Sequence, residues 1–214
     1  MIIALEHITK SFKGRPLFEG ATASFDKGKI YGITGPNGAG KSVLFKMICG
    51  FVLPDAGTIH IDDSYKSKGT QFPQKFGIII DRPGYLANQT GQENLKRLAN
   101  IQGKIGEEEI QVAMKRVGLD PDTKQKVKNY SLGMKQKLAL AQAIMEHQEV
   151  LILDEPFNGL DADSVDQVRQ LLQNFKEQGK TILLTSHNKE DIDLLCDHVY
   201  RINNLKLELI TLPG

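Results

Sequence analysis

Two runs of residues are suited to chemistry on a phosphate. The first, Gly35-Pro36-Asn37-Gly38-Ala39-Gly40-Lys41-Ser42, meets every specified position of the eight-residue phosphate-binding loop. Glycines let the backbone curl so that successive N–H groups face phosphate oxygens, and the helix that follows adds its partial positive end. Lys41 then reaches the β- and γ-phosphates as a point charge, and the Ser42 hydroxyl ligates Mg²⁺. The second run, Val150-Leu151-Ile152-Leu153-Asp154-Glu155-Pro156, is an apolar strand ending in two carboxylates. In an open parallel sheet, ligands bind at the carboxyl ends of the strands. Asp154 is placed to hold Mg²⁺ beside Ser42, and Glu155 to face the water that attacks the terminal phosphate. Consecutive residues of an extended strand end point to opposite sides, so the two neighbouring acids can serve different roles.

Three weaker signals accompany these. Thr185-Ser186-His187 ends another strand, and its imidazole can donate a hydrogen bond to a separating γ-phosphate, although a histidine in such a loop is more often structural. The other histidines, His7, His60, His147 and His198, have no comparable setting. Ser131 and Gly133 precede the alanine-rich run Leu138 to Met145, giving a second helix start able to meet an anion, and a plain N-cap explains Ser131 equally. A phosphate loop alone does not choose among ATPases, GTPases and kinases. Asp81-Arg82-Pro83-Gly84 has the Asp-x-x-Gly form of a GTPase γ-phosphate sensor, and Asn188-Lys189-Glu190-Asp191 has the Asn-Lys-x-Asp form of a guanine reader. Such short patterns arise by chance, and the interval between these two is long for a GTPase.

The elements that must hold these groups follow from periodicity. Ile2 to Thr9, Ala21 to Phe25, Ile30 to Thr34, Thr58 to Ile61 and Phe76 to Ile80 read as strands. A helix opens at the glycine-rich run 35 to 42 and stops at Gly50. From about 92 to 146 the pattern is helical, with the acidic first turn Glu107-Glu108-Glu109 and the basic residues Lys124, Lys126, Lys128, Lys135 and Lys137, a run able to bind an anion but more often a solvated face balancing nearby acid. Strand signals return at Val150 to Leu153 and Thr181 to Thr185, separated by a helix with Val165, Val168, Leu171, Leu172 and Phe175 on one face. This alternation predicts a parallel sheet covered on both sides. Val199 to Ile202 and Leu205 to Ile210, joined by Asn203-Asn204, predict a closing hairpin.

Composition sets the outer limits. The chain has 214 residues, 40% apolar and 25% charged, ordinary for a folded domain. Its 27 Lys and Arg against 26 Asp and Glu leave a formal net charge of +1, which offers no general field for nucleic acid. Cys49 and Cys196 form neither a disulfide framework nor a metal spacing and read as buried reduced thiols. Glu6 makes the start too acidic for a secretory signal, and no stretch is long and apolar enough to cross a bilayer, so work at a membrane requires other chains.

Taken in order, these residues resemble the ATP-binding cassette (ABC) family over essentially the whole chain. In that family a phosphate loop, a helical insert ending in a Leu-Ser-Gly-Gly-Gln signature, an acidic strand with a catalytic glutamate, a Leu-Asp loop and a switch histidine follow one another. Gly35 to Ser42, Tyr130 to Met134, Asp154-Glu155, Gly159-Leu160-Asp161 and His187 take those places. The resemblance implies an α/β P-loop NTPase (RecA-like) core with a mainly parallel sheet, an N-terminal antiparallel β subdomain and a helical insert. It implies one domain over 1–214, with 1–80 and 147–214 forming the nucleotide-binding core and 82–146 the helical subdomain. It also implies ATP and Mg²⁺ as ligands, with Gly35, Pro36, Asn37, Gly38, Ala39, Gly40, Lys41, Ser42 and Val43 around the nucleotide and Phe12 stacked on adenine. Two such chains, or this one and a second ABC subunit, pair head to tail. Ser131 and Gly133 of one then complete the site of the other, and Asp161 senses the opposite subunit. Integral membrane permease subunits are the further partners, which places the chain on the cytoplasmic face of a membrane.

Two departures stand out. The signature reads Tyr-Ser-Leu-Gly-Met, keeping the serine and second glycine but not the first glycine or the glutamine. Asp81 stands where the family has a glutamine linking Mg²⁺ to the insert. It can still ligate the metal but cannot donate a hydrogen bond. Together these features are similar to the ATPases of bacterial exporters that remove peptide antibiotics and lantibiotics. The insert is too short for the coiled coil of chromosome-handling relatives, and translation-associated relatives carry two cassettes. A non-enzymatic nucleotide-gated scaffold is the remaining alternative, since Asp81 bears on turnover.

Overall fold

The chain opens with a hairpin. β1 (Ile3–Phe12) and β2 (Arg15–Phe25) pair antiparallel with Phe12 opposite Arg15, and Lys13 and Gly14 between them take φ of 52° and 78°. A two-residue turn with both φ positive matches the right-handed twist of its strands. β1 also pairs with β4 (Ala56–Ile61), giving a three-stranded antiparallel sheet in the order β2-β1-β4. The hairpin is longer than the sequence pattern indicates. Register shifts between Leu5 and Ile8, Ile8 and Lys10, and Lys10 and Ser11 break the two-residue alternation that would have marked the outer half.

A computed structural model describes residues 1–66, 72–81 and 83–210. Within them a second sheet is built from β3 (Ile30–Thr34), β5 (Phe76–Ile79), β6 (Val150–Leu153), β7 (Thr181–Leu184), β8 (His198–Asn203) and β9 (Lys206–Ile210). Its order is β5-β6-β7-β3-β8-β9, parallel throughout except for β9. β6 and β7 are buried along their whole length, which is why they read as unbroken apolar runs. Alternate residues serve opposite cores. Leu151, Leu153, Ile182 and Leu184 face the helices α2 (Gly91–Gln102), α3 (Glu107–Arg116), α4 (Leu132–Ile144) and α5 (Ala162–Glu177), whereas Val150, Ile152, Leu183 and Ile33 face α1 (Lys41–Ile48) and the antiparallel sheet. A last helix, α6 (Lys189–Leu195), follows β7.

The closing hairpin turns one residue later than the sequence suggests, at Asn204-Leu205 rather than Asn203-Asn204. Asn203 stays in β8 because it pairs with Lys206 and its amide donates to both carboxylate oxygens of Glu208, at 3.0 and 3.2 Å. Both cysteines are buried and free, and burial pushes each thiol up to about 12.

The order β6-β7-β3 brings three carboxyl strand ends side by side. β3 delivers the glycine loop, β6 the two acids, and β7 the Thr185-Ser186-His187 segment. The fold thereby assembles at one sheet edge groups that lie more than a hundred residues apart in the chain.

Candidate functional site

The glycine loop runs from β3 into α1. Gly40 caps that helix at φ 105°, a conformation open to glycine but not to an L side chain, and makes no side-chain cap bond. The first turn carries no acid, so its backbone N–H groups stay available to an anion. Lys41 Nζ donates to the carbonyls of Gly35 and Pro36, at 2.8 and 3.4 Å, and so lies over the loop it must serve.

The acids are held from β7. Thr185 is fully buried, and its hydroxyl donates to Asp154 Oδ1 at 2.7 Å while accepting from the Glu155 N–H at 2.8 Å. Glu155 takes φ 52°, a left-handed backbone that ends the extended strand. Its Oε2 accepts from the His187 N–H at 3.2 Å, and its Oε1 lies 3.2 Å from His187 Nε2 without the alignment of a hydrogen bond. Oε1 is thus a buried oxygen without a hydrogen-bond donor, beside the His187 ring, and Glu155 lines the cleft. Burial raises the Glu155 pKa, and the neighbouring His187 opposes that rise. The other end of this turn is held by Gln136 of α4, which donates to the carbonyls of Glu155 and Pro156.

Phe12, Asn37, Gly38, Gly40, Lys41, Ser42, Val43, Asp154, Glu155 and His187 line one cleft of about 380 Å³, with Arg15 and Leu17 from the hairpin completing its rim. Phe12 is about half exposed there, with Lys13 Nζ over its ring at 5.8 Å from the centroid. Asp81, with φ 59°, does not line this cleft. It pairs with Lys46 of α1 at 2.6 Å and lies at the boundary of two adjoining cavities, one of which it shares with Asp154 and Glu155. Arg82, beside it in the Asp-x-x-Gly pattern, lies outside the described residues.

The signature residues form a separate surface. Ser131 caps α4 by accepting from Met134 N–H at 3.1 Å, and Asp161 caps α5 by accepting from Ser164 N–H at 2.9 Å. Ser131, Gly133 and Asp161 line a common depression that excludes Lys41 and Ser42. Ser131 and Asp161 are exposed, while Tyr130 is buried beneath them. Gly133 is required by packing, because a β-carbon there would stand 2.7 Å from the Gly159 carbonyl oxygen.

The guanine-reading pattern dissolves in the fold. Asn188 caps α6 through Glu190 N–H, Lys189 pairs with Asp193, and Asp191 is buried against Arg169 and Ser186. None of the three is left to read a base edge. Sequence reasoning missed Thr185 and Gln136 as supports of the acids, since single polar residues in apolar or helical runs carry no spacing signal. It missed Arg15 because the hairpin turn before it was not visible.

The sequence pattern of the family described as ABC transporter matches residues 18–158, from β2 through the acidic strand end. The chain belongs to this family. The ABC transporter ATP-binding protein YybJ of Bacillus subtilis (strain 168), itself uncharacterized, is 38% identical over 97% of this chain and 95% of its own length. The bacitracin transport ATP-binding protein BcrA of Enterococcus faecalis is 38% identical over 92% of this chain, which spans only 64% of that longer protein. The lantibiotic transport ATP-binding protein SrtF of Streptococcus pyogenes is 33% identical over 92% of this chain and 85% of its own. Among solved structures, an ATP binding subunit of an ABC transporter superposes with a TM-score of 0.86 at 26% identity, over 99% of this chain and 90% of the other. A dimeric post-hydrolysis state of the ATP-binding cassette MJ0796 bound to ADP and Pi also gives 0.86, over 100% of both chains. At 19% identity that likeness speaks for the fold alone. The ABC cassette is thus an α/β fold with a mostly parallel sheet and a separate antiparallel one, as expected from the motifs.

Proposed function

We propose that this ABC chain binds and hydrolyses ATP as the energising subunit of a membrane exporter, working as a head-to-tail pair. The observation that carries the reading is the division of labour between two surfaces. Lys41, Ser42, Asp154, Glu155 and His187 share one cleft, while Ser131 and Asp161, both exposed, and the half-buried Gly133 line another. A cleft open on the side where terminal phosphate would emerge, and a capped helix start with nothing to bind, complement each other between two copies.

Within the cleft, Lys41 exchanges its loop carbonyls for phosphate oxygens, and the N–H groups of the glycine loop cradle the rest. Phe12 offers its exposed ring to adenine. Among the described residues no group of three or more His, Cys, Asp or Glu is able to hold a metal ion alone. The Ser42 hydroxyl and the Asp154 carboxylate line this cleft and, with phosphate oxygens, would hold the cation. Mg²⁺, when bound, neutralises charge on the β- and γ-phosphates. Glu155 orients and deprotonates the attacking water, and His187 donates to the γ-phosphate. Asp81, held by Lys46, joins this edge to the cavity behind it rather than standing in the phosphate cleft.

That rear cavity, about 560 Å³, lies between the sheet and α2 and is lined by Phe51, Ile78, Ile80, Leu98 and Ile101. Phe51 and Ile101 are 54% and 79% exposed, so the cavity has an apolar rim. We assign it to the permease subunits. No helix among the described residues is long and apolar enough to cross a membrane, so spanning falls to those partners. Transport as the task is supported by the relatives named as bacitracin and lantibiotic transport ATP-binding proteins, and export as its direction and the cytoplasmic face as its place are part of the same proposal. The segment 82–146, which contains α2, α3 and α4, acts as the helical subdomain between the permease and the phosphate cleft.

Phosphate release measured with Mg-ATP and with Mg-GTP tests the reading. Turnover with ATP well above that with GTP is expected. Preference for GTP, or release from neither in the presence of the membrane partner, contradicts it.

A further inference from the structure

Among the described residues, Asp191 is the one charged side chain that is fully buried, 2% exposed, and no role in the phosphate cleft accounts for it. Burying a carboxylate is expensive unless it is paired and hydrogen-bonded. Asp191 is both. Arg169 of α5 donates to its Oδ1 through Nε and Nη2, at 3.0 and 2.6 Å, and Ser186 Oγ donates to its Oδ2 at 2.5 Å. Arg169 is itself braced by Glu190 and Asp166, at 3.1 and 3.2 Å. Ser186 Oγ also accepts from Asn188 N–H at 3.1 Å, so the hydroxyl closes the turn whose middle residue is His187.

The histidine is therefore held at two points. Its own N–H is fixed to Glu155 on one side, and Ser186, locked by Asp191 and Arg169, fixes the preceding residue on the other. Its ring is 57% exposed, with Nε2 3.2 Å from Glu155 Oε1 as its one ion-pair contact among the described residues, so its direction depends on how the turn carries it. We propose that Asp191, acting through Ser186, is a positioning residue that aims the His187 imidazole into the phosphate cleft. The inference rests on the reading above, in which His187 contacts the γ-phosphate. Misplacing a reacting group by about 1 Å costs up to about 10²-fold in rate, and loss of an orienting partner about 10- to 100-fold.

The test uses the full chain and two readouts, steady-state ATP hydrolysis and the histidine ring resonances by NMR. Ser186→Ala and Asp191→Asn each lower kcat about 10- to 100-fold with KM for ATP unchanged. Both also shift the His187 resonance, identified by its loss in His187→Ala, while those of His7, His60, His147 and His198 stay in place. Ser186→Thr, which keeps the hydroxyl, behaves as wild type. Adding Ser186→Ala to His187→Ala produces no further loss. Should Asp191→Asn fail to fold, Ser186→Ala leaves the Arg169 pair intact and decides the matter. A fall in kcat without movement of the His187 resonance overturns the proposal, as does unimpaired turnover in Ser186→Ala when His187→Ala is impaired. Wild-type turnover in His187→Ala itself is a different failure, because it removes the phosphate role of His187 and this inference with it.

Discussion

Replacing Glu155 by glutamine lowers ATP turnover by about 10²- to 10⁴-fold, the usual contribution of a general base, and leaves nucleotide affinity near wild type. The substitution keeps the size of the side chain and one acceptor oxygen while removing the capacity to take a proton. The His187 N–H that bonds Oε2 can still meet an amide oxygen, and the Thr185 bond to the Glu155 backbone is untouched, so the turn persists. Buried carboxylates are the costly partner in such a site, so neutralising this one does not weaken folding. Single-turnover phosphate release and binding of a fluorescent ATP analogue measure the two arms. Unchanged hydrolysis removes Glu155 from its role and leaves Asp154 or a solvent path to activate water.

Replacing Lys41 by methionine has the complementary effect. The stem still fits along the loop, but the ammonium that rests on the Gly35 and Pro36 carbonyls is gone. A hydrogen bond to a charged group contributes about 1.5–3 kcal/mol, so ATP affinity falls by roughly 10- to 150-fold. The loss is larger for ATP than for AMP, because Lys41 reaches β and γ oxygens that AMP lacks. Titration calorimetry with both nucleotides checks this. An equal loss for the two would place Lys41 at the α-phosphate or in loop folding alone.

The sequence announces the site better than it announces the scaffold's details. Gly35 to Ser42 and Asp154-Glu155 are legible because each couples a local pattern to a chemical requirement, and strand ends deliver them to one edge. The first hairpin is partly hidden, since bulges in β1 erase the alternation that marks a strand. The turn at Asn204-Leu205 is hidden too, because a leucine at φ 61° is held there by the pairing of its neighbours and not by its own preference. Asp81 shows the limit of reading by position. Its place in the order of motifs suggests a metal ligand, whereas its ion pair with Lys46 of α1, in a cavity beside the phosphate cleft, carries no sequence signal. Asp191 shows the converse. Its residues spell a guanine reader in one dimension, and burial against Arg169 and Ser186 turns them into a support for the histidine turn.

The separation between the phosphate cleft and the Ser131, Gly133 and Asp161 surface underlies every functional statement made here, and mass is its most direct measure. A Glu155→Gln chain of 23.8 kDa is examined by light scattering with and without Mg-ATP, alone and with Ser131→Arg added. Ser131 is exposed, so an arginine fits within one copy at the cost of the cap bond to Met134 N–H, about 0.5–2 kcal/mol, but obstructs a second copy's nucleotide. ATP is expected to double the mass of the Glu155→Gln chain, and the added Ser131→Arg to hold it at the mass of one chain while ATP binding persists. A Glu155→Gln chain that binds ATP and stays single, or a dimer indifferent to Ser131→Arg, contradicts a site completed by a second copy.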